Sequence, residues 1–221
     1  MAFYDREDEL ETLVSAFETD GHDLFVVYGR RRVGKTELLT EFTKTRDHIY
    51  FLASQEAEHR QREKFVEQIA QSFEERVPRL DSWEAALDYL GEKMADQKLV
   101  VVIDEFPYLV AENDSLPSYL QSFVDQTLSE TDSMLVLCGS SVRTMESKVL
   151  GHESPLFGRR TGQIDVQPFS FTQSREIISY SIAEAIRSFS VTGGTPMYLL
   201  EFDYADGLRA NVIDRVLSPP A

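Results

Sequence analysis

Leu24-Phe25-Val26-Val27-Tyr28-Gly29-Arg30-Arg31-Arg32-Val33-Gly34-Lys35-Thr36 joins an apolar, partly β-branched run to a glycine-framed turn. The run reads as a buried strand, and Glu37-Leu38-Leu39-Thr40-Glu41-Phe42 beyond the turn continues as a helix. Strand, loop and helix around G-x-x-x-x-G-K-[ST] form the P-loop pattern in its expected context. Gly29 and Gly34 lack a Cβ, which lets the backbone come close to a phosphate. Loop N–H groups and the helix start then bind anionic oxygens. The candidate nucleotide-binding residues are Gly29, Arg30, Arg31, Arg32, Val33, Gly34, Lys35, Thr36 and Glu37. Lys35 brings a point charge to the β/γ-phosphates, a catalytic contribution, and the Thr36 hydroxyl is placed to coordinate Mg²⁺. The three arginines can meet phosphate, a neighbouring acidic subunit or solvent; an electrostatic or interface role is favoured over nucleic-acid binding.

A second strand-end motif completes the chemistry. Leu99-Val100-Val101-Val102-Ile103 is a continuous apolar run, as in a strand buried on both faces of a parallel sheet, and it ends in Asp104-Glu105. Ligands of open parallel sheets bind at the carboxyl ends of strands, so this pair and the P-loop face one crevice. Asp104 is expected to hold Mg²⁺ through water, and Glu105 to orient or deprotonate an attacking water. An acid pair here suits a water-activating ATPase better than a kinase. The absence of an Asn-Lys-x-Asp run favours ATP over GTP. Met134-Leu135-Val136-Leu137-Cys138 is a further buried strand ending in Gly139-Ser140-Ser141. Ser140, with Ser141 as the alternative, can hydrogen-bond the γ-phosphate or the water. Arg159 and Arg160 follow Gly158 in a loop. An arginine supplied across a subunit interface raises turnover by about 10³ to 10⁵; the competing role for each is a surface ion pair.

The remaining elements fill in around these motifs. Leu10, Leu13, Val14 and Phe17 make a helical stripe, with Asp5 placed as its cap. His48 to Ala53 reads as a strand, Glu56 to Arg76 and Ser82 to Ala95 as amphipathic helices, Pro117 to Leu128 as a helix, and Gln163 to Val166 as a fifth strand. Alternation of strands and helices predicts an α/β fold. The expected architecture is a P-loop NTPase parallel sheet of about five strands, of the additional-strand ATPase type, flanked by helices. From Pro168 the pattern turns helical. Residues 1–168 are therefore expected to form the ATPase core and 169–221 a small helical lid. Phe171-Thr172 starts one lid helix, and Gly193-Gly194-Thr195-Pro196 punctuates before another.

Composition narrows the class. The chain has 221 residues, 42% of them hydrophobic, enough for a sizeable core. No apolar run nears the ~20 residues of a membrane span. The N-terminus is charged from Asp5-Arg6-Glu7 and reads without a signal-peptide core. One cysteine, Cys138, excludes an internal disulfide and reads as a core residue, and the four histidines lack metal-ligand spacing. A cytoplasmic location with no membrane partner is expected. The net charge of −16 opposes a large nucleic-acid footprint. It reads either as a solvated face or as adaptation to high internal salt, where a short screening length quiets self-repulsion; arginine outnumbering lysine suits the latter.

Together the motifs resemble the archaeal-type P-loop ATPases related to the STAND and AAA+ classes. Besides the P-loop and Asp104-Glu105, the resemblance rests on Phe3-Tyr4-Asp5-Arg6-Glu7-Asp8-Glu9-Leu10, Ser154-Pro155-Leu156-Phe157-Gly158-Arg159-Arg160, Pro168-Phe169-Ser170-Phe171 and Gly193-Gly194-Thr195-Pro196-Met197-Tyr198-Leu199. It implies that Tyr4 and Arg6 pack near the adenine, although Asp5 stands where the family usually has glycine. It also implies a lid element at Gly194 and Pro196 over the nucleotide. ATP/ADP and Mg²⁺ are the expected ligands, and a homo-oligomer with an arginine in trans is a candidate assembly. Family members usually continue into a further C-terminal region, often suspected to be nuclease-like. The expectation is that this chain is a truncated form or that the effector is a separate protein. Competing with hydrolysis are a nucleotide-gated interaction module and a DNA-associated ATPase, the latter supported only by the arginine clusters.

Overall fold

The computed structural model describes residues 4–218. Phe3 of the N-terminal piece, and Pro219, Pro220 and Ala221 of the expected lid, lie outside the described residues. Contacts divide the chain into two units. One comprises Arg6–Gly29 and Lys35–Asp165; the other takes residues 4–5, Arg30–Gly34 and 166–218. The division at Asp165 falls close to Pro168. Contacts group the middle of the P-loop, Arg30–Gly34, with the helical residues, which a single boundary along the chain does not do.

The first unit is built on a five-stranded, all-parallel sheet. Its strands are β1 (Asp23–Tyr28), β2 (His48–Leu52), β3 (Val100–Asp104), β4 (Met134–Gly139) and β5 (Gly162–Asp165), in the order β2-β3-β4-β1-β5. Strand β4 lies between the P-loop strand β1 and the Asp104 strand β3, the additional-strand arrangement. Every residue of β1, β3 and β4 is buried, which explains their unbroken apolar runs. Edge strand β2 alternates instead, with Ile49 and Phe51 buried.

Helices cover both faces. Alternate side chains Leu24, Val26, Ile49, Phe51, Val101, Ile103, Leu135 and Leu137 pack with α3 (Glu58–Ser72), α4 (Trp83–Asp96), α5 (Phe106–Glu112) and α6 (Leu116–Gln126) in one core. Phe65 of α3 sits between Phe51, 5.3 Å edge to face, and Trp83, 5.6 Å away. Behind the sheet, α2 (Lys35–Thr43) packs on β3 and α1 (Glu7–Glu18) packs on α2, through buried Leu13, Leu38, Leu39 and Phe42. Arg46 lies 4.7 Å over the Phe42 ring and ties the end of α2 down.

Several boundaries differ from expectation. Helix α1 has Arg6, not Asp5, at its N-cap position and no side-chain cap; Asp5 adopts φ 42 and leads the chain in. Helix α5 was not anticipated. The acid pair and Pro107 masked it, although Phe106, Leu109 and Val110 repeat at helical spacing and are all buried. The long helix of the 56–76 region is confined to α3, because Glu74 turns left-handed at φ 54.

The first unit ends its helices with the short α7 (Val142–Met145); in the second unit the helix from Phe171 is a single turn, α8 (Phe171–Ser174), closed by a capping box of Ser170 and Gln173. The longer helix is α9 (Ile182–Thr192), capped by Ser181 and ended by left-handed Gly193. Then come α10 (Pro196–Leu200) and α11 (Leu208–Asn211). Their small core is Phe169, Ile178, Tyr180, Ala185 and Leu199, with Tyr4 packed against it.

The aromatic stack around Phe65 supplies a test of the core. Phe65→Ala should lower unfolding free energy by about 3–5 kcal/mol in denaturant titration, the cost of deleting a fully buried aromatic ring.

Candidate active site

Parallel pairing aligns the carboxyl ends of the strands on one edge. Tyr28 pairs with Gly139, Leu52 with Asp104, and Ile103 with Leu137. The chemistry-bearing residues therefore start from adjacent strand ends.

The P-loop leaves β1 at Gly29, φ 144, and enters α2 after Gly34, φ 94. A side chain is strained at such dihedrals, which is why glycine frames the turn. Arg32 takes φ 70 within the loop. Lys35 is 6% exposed and its Nζ donates to the Gly29 carbonyl at 3.0 Å. Val33 is buried, while Arg30, Arg31, Arg32, Thr36 and Glu37 are exposed.

Asp104 is 1% exposed and is the hub of the edge. Its Oδ2 accepts from Thr36 Oγ1 at 2.9 Å and from Tyr50 OH at 2.8 Å, and its Oδ1 accepts from the Glu105 amide at 2.8 Å. Beneath it, Cys138 is buried; desolvation and then the Asp104 charge push the thiol pKa up, as for an inert core thiol. Burial first, and then the same charge, raise the Tyr50 phenol well above its ordinary range, so it remains a donor. Tyr50 is the site residue that the sequence reading missed. It was legible only as a strand residue, since its link to Asp104 depends on strand order.

Thr36 and Asp104 form a pair of hard oxygen donors, and the hydrogen bonds reaching Asp104 come from neutral groups. That donor set fits Mg²⁺, which binds through one or two protein oxygens plus phosphate and water. Among the described residues no group of three or more His, Cys, Asp or Glu could hold a metal by itself.

Glu105 turns the chain from β3 into α5 in the left-handed region, φ 53 and ψ 39. Non-glycine residues held so cost on the order of 1–3 kcal/mol and cluster at functional sites. The turn brings the carboxylate to Ser140: Ser140 Oγ lies 2.7 and 2.8 Å from its two oxygens, and the Ser140 amide donates to Oε2 at 3.3 Å. Gly139 makes this approach possible. A Cβ there would stand 2.7 Å from both Pro107 Cδ and Met145 Sδ. Ser141 instead hydrogen-bonds Thr144 at 2.8 Å.

The other expected residues each have partners of their own. Arg159 makes a two-pronged bond to Asp125 of α6, 2.7 Å on each arm, and the guanidinium holds that carboxyl below its usual range. Arg160 donates to the Leu150 carbonyl at 3.2 Å and lies 6.0 Å from the Phe157 ring centroid. Arg6 is nearly buried and pairs with Glu9 at 2.6 Å. Tyr4 packs on the core of the helical unit. In that unit Pro196 opens α10, and a Cβ on Gly194 would meet the Phe169 carbonyl at 2.0 Å. The Arg32 guanidinium lies 5.3 Å from the Tyr198 ring centroid, joining the P-loop to the Gly-Gly-Thr-Pro-Met-Tyr-Leu segment.

The description of an ATPase domain found predominantly in Archaea matches residues 3–202. The chain belongs to this archaeal ATPase family. Within the curated proteins, the ATPase domain is 33% identical over 210 residues to an uncharacterized protein of Methanocaldococcus jannaschii, covering 92% of this chain and 46% of that one. The chain thus spans about half the length of that relative. Among solved structures it resembles the Walker-type ATPase PABY2304 of Pyrococcus abyssi, with TM-score 0.68, 21% identity, and 96% and 72% of the two chains covered. It also resembles the Aeropyrum pernix ORC1 protein solved with DNA, with TM-score 0.58, 19% identity, and 79% and 48% covered. A STAND protein with a tetratricopeptide-repeat sensor from Pyrococcus horikoshii gives TM-score 0.55 and 15% identity, covering 90% and 29%. At these identities the structural likenesses establish the fold, a P-loop ATPase sheet. No helix among the described residues is long and apolar enough to cross a membrane.

Gly139 gives this geometry a direct test. Gly139→Ala should cost about 1–3 kcal/mol of stability by overpacking against Pro107 and Met145, measured by chemical denaturation. Gly207→Ala, where a Cβ would meet nothing within 4 Å, should be close to neutral in the same assay.

Proposed function

We propose that this ATPase domain binds ATP with Mg²⁺ and hydrolyses it to ADP and phosphate. The observation that carries the reading is the joint placement of Thr36 on Asp104, at 2.9 Å, and of Ser140 on Glu105, at 2.7 Å, along one strand edge. Bound Mg²⁺ would neutralise charge developing on the β- and γ-oxygens. The chain's own residues do the rest. Loop amides from 29 to 34 and Lys35 hold phosphate. Thr36 and Asp104 offer oxygen donors. Glu105 accepts the proton of the attacking water, and Ser140 sets the direction of its carboxylate.

Coupling to the helical residues belongs to the same proposal. Arg30–Gly34 fall in one compact unit with residues 166–218, and Arg32 stacks on Tyr198 within it. Phosphate captured by the loop is then felt by the helical lid, whose response controls assembly or a protein partner. Tyr4, Arg6 and Pro196 are assigned to the base end of the nucleotide by family resemblance. A nucleotide-gated switch with slow hydrolysis is the second reading. It is favoured by the grip of Ser140 on both Glu105 oxygens, which keeps the base occupied. A DNA-associated role finds no support in the net charge of −16.

For assembly, we assign the arginine supplied in trans to Arg160. Arg159 is already engaged by Asp125, whereas Arg160 spends one hydrogen bond on a backbone carbonyl.

Glu105→Gln should leave ATP affinity within about threefold and lower phosphate release by roughly 10²- to 10⁴-fold, the range for losing a general base. Unchanged release would remove Glu105 from the role. Arg160→Ala should abolish any rise of turnover per chain with protein concentration, followed by steady-state phosphate release. Arg159→Ala should leave that dependence in place.

A further inference from the structure

Asp104 presents a problem that its two motifs do not solve. A carboxylate 1% exposed must have its lone pairs occupied and its plane fixed if it is to meet a cation in one orientation. Thr36 comes from the P-loop and the Glu105 amide from the chain itself, but Thr36 is exposed at the rim. The remaining oxygen-borne donor is Tyr50, from β2. Strand β2 pairs in parallel with β3, Tyr50 opposite Val102 and Leu52 opposite Asp104. The phenol thus starts two residues back from the strand end and reaches forward to Oδ2 at 2.8 Å.

We propose that Tyr50 is a positioning residue for the magnesium site, holding the Asp104 carboxylate in the orientation that receives the cation beside Thr36. The proposal rests on the Mg²⁺-ATP reading above. Tyr50 and Thr36 converge on the same oxygen, Oδ2, so the carboxylate is clamped from the β2 side and the P-loop side at once. Oδ1 is pinned by the Glu105 amide. Rotation about the Cβ–Cγ bond would break all three bonds together. The clamp is neutral: a phenol leaves the full carboxylate charge for the metal, where a lysine or arginine would cancel it. Outer-shell partners of this kind are worth roughly 10–100-fold in metal affinity or activity.

The test is ADP binding by titration calorimetry, in Mg²⁺ and in EDTA, for wild type and Tyr50→Phe. The phenylalanine keeps the ring and removes only the hydroxyl. The expected result is that ADP affinity in EDTA is unchanged while the Mg²⁺-dependent gain shrinks by about tenfold or more. The Mg²⁺ concentration at half-saturation should rise in parallel. Equal losses in Mg²⁺ and EDTA would show a merely structural tyrosine and overturn the proposal, as would an unchanged Mg²⁺ gain. Thermal unfolding of the ligand-free variant, run alongside, identifies a folding defect. Should Tyr50→Phe prove too unstable to titrate, Tyr50→Met, which likewise fills the space without a donor, takes its place with the same expected loss, and an unchanged Mg²⁺ gain overturns the clamp. A wild type whose ADP affinity ignores Mg²⁺ would overturn the magnesium reading itself and this proposal with it, a result distinct from a Tyr50-specific failure.

Discussion

The buried carboxylate of Asp104 is the constraint around which the sheet unit is ordered. A charge taken out of water is costly unless hydrogen-bonded or paired. Here a hydroxyl from the P-loop helix, a phenol from β2 and the following backbone amide share that task. Each donor depends on a different part of the fold. Thr36 requires that α2 pack behind the sheet, Tyr50 requires β2 to pair with β3, and the Glu105 amide requires the sharp turn into α5. The strand order β2-β3-β4-β1-β5 is therefore a statement about this one side chain as much as about the hydrophobic core.

The same turn determines the neighbouring chemistry. A left-handed Glu105 is unfavourable locally, and the surroundings must over-determine it. Phe106 and Pro107 start α5 immediately, both buried, and Pro107 can lie against β4 only because residue 139 has no side chain. Packing of the helix start on the strand end thus places Ser140 on Glu105. A small residue outside the candidate pair governs the distance between the two residues inside it.

What could be read from the chain follows the range of the interactions involved. The P-loop, the buried strands and the acid pair are local patterns, and they emerged with the parallel order and the additional-strand type. Cys138 was legible as core for the same reason. Helix α5 was hidden because turn-forming signals at Asp104-Glu105-Phe106-Pro107 outweighed the short apolar repeat behind them. Tyr50 was hidden because nothing within β2 distinguishes it from Phe51; only its register against β3 does. Arg159 looked like Arg160 in sequence, and a partner 34 positions away, Asp125, separates them. The grouping of Arg30–Gly34 with residues 166–218 is likewise a property of contacts that no linear boundary near Pro168 could contain.

Charge adds a last step. A chain of net −16 repels a polyphosphate anion at long range, yet that field decays over about 8 Å at physiological ionic strength. Inside that distance the local arrangement rules. Arg30, Arg31, Arg32 and Lys35 concentrate positive charge in one loop, reinforced by the N-terminus of α2. The acids of the site are held differently: Asp104 is buried under neutral donors and Glu105 is held by Ser140. Salt therefore acts on the two scales in opposite directions. It removes the long-range repulsion between the acidic surface and the nucleotide, and it screens the exposed loop arginines, but it reaches the buried Asp104 clamp least. A buried carboxylate fixed by uncharged hydrogen bonds keeps its geometry in concentrated electrolyte, so an acidic surface is compatible with the anionic ligand and the metal proposed for this site.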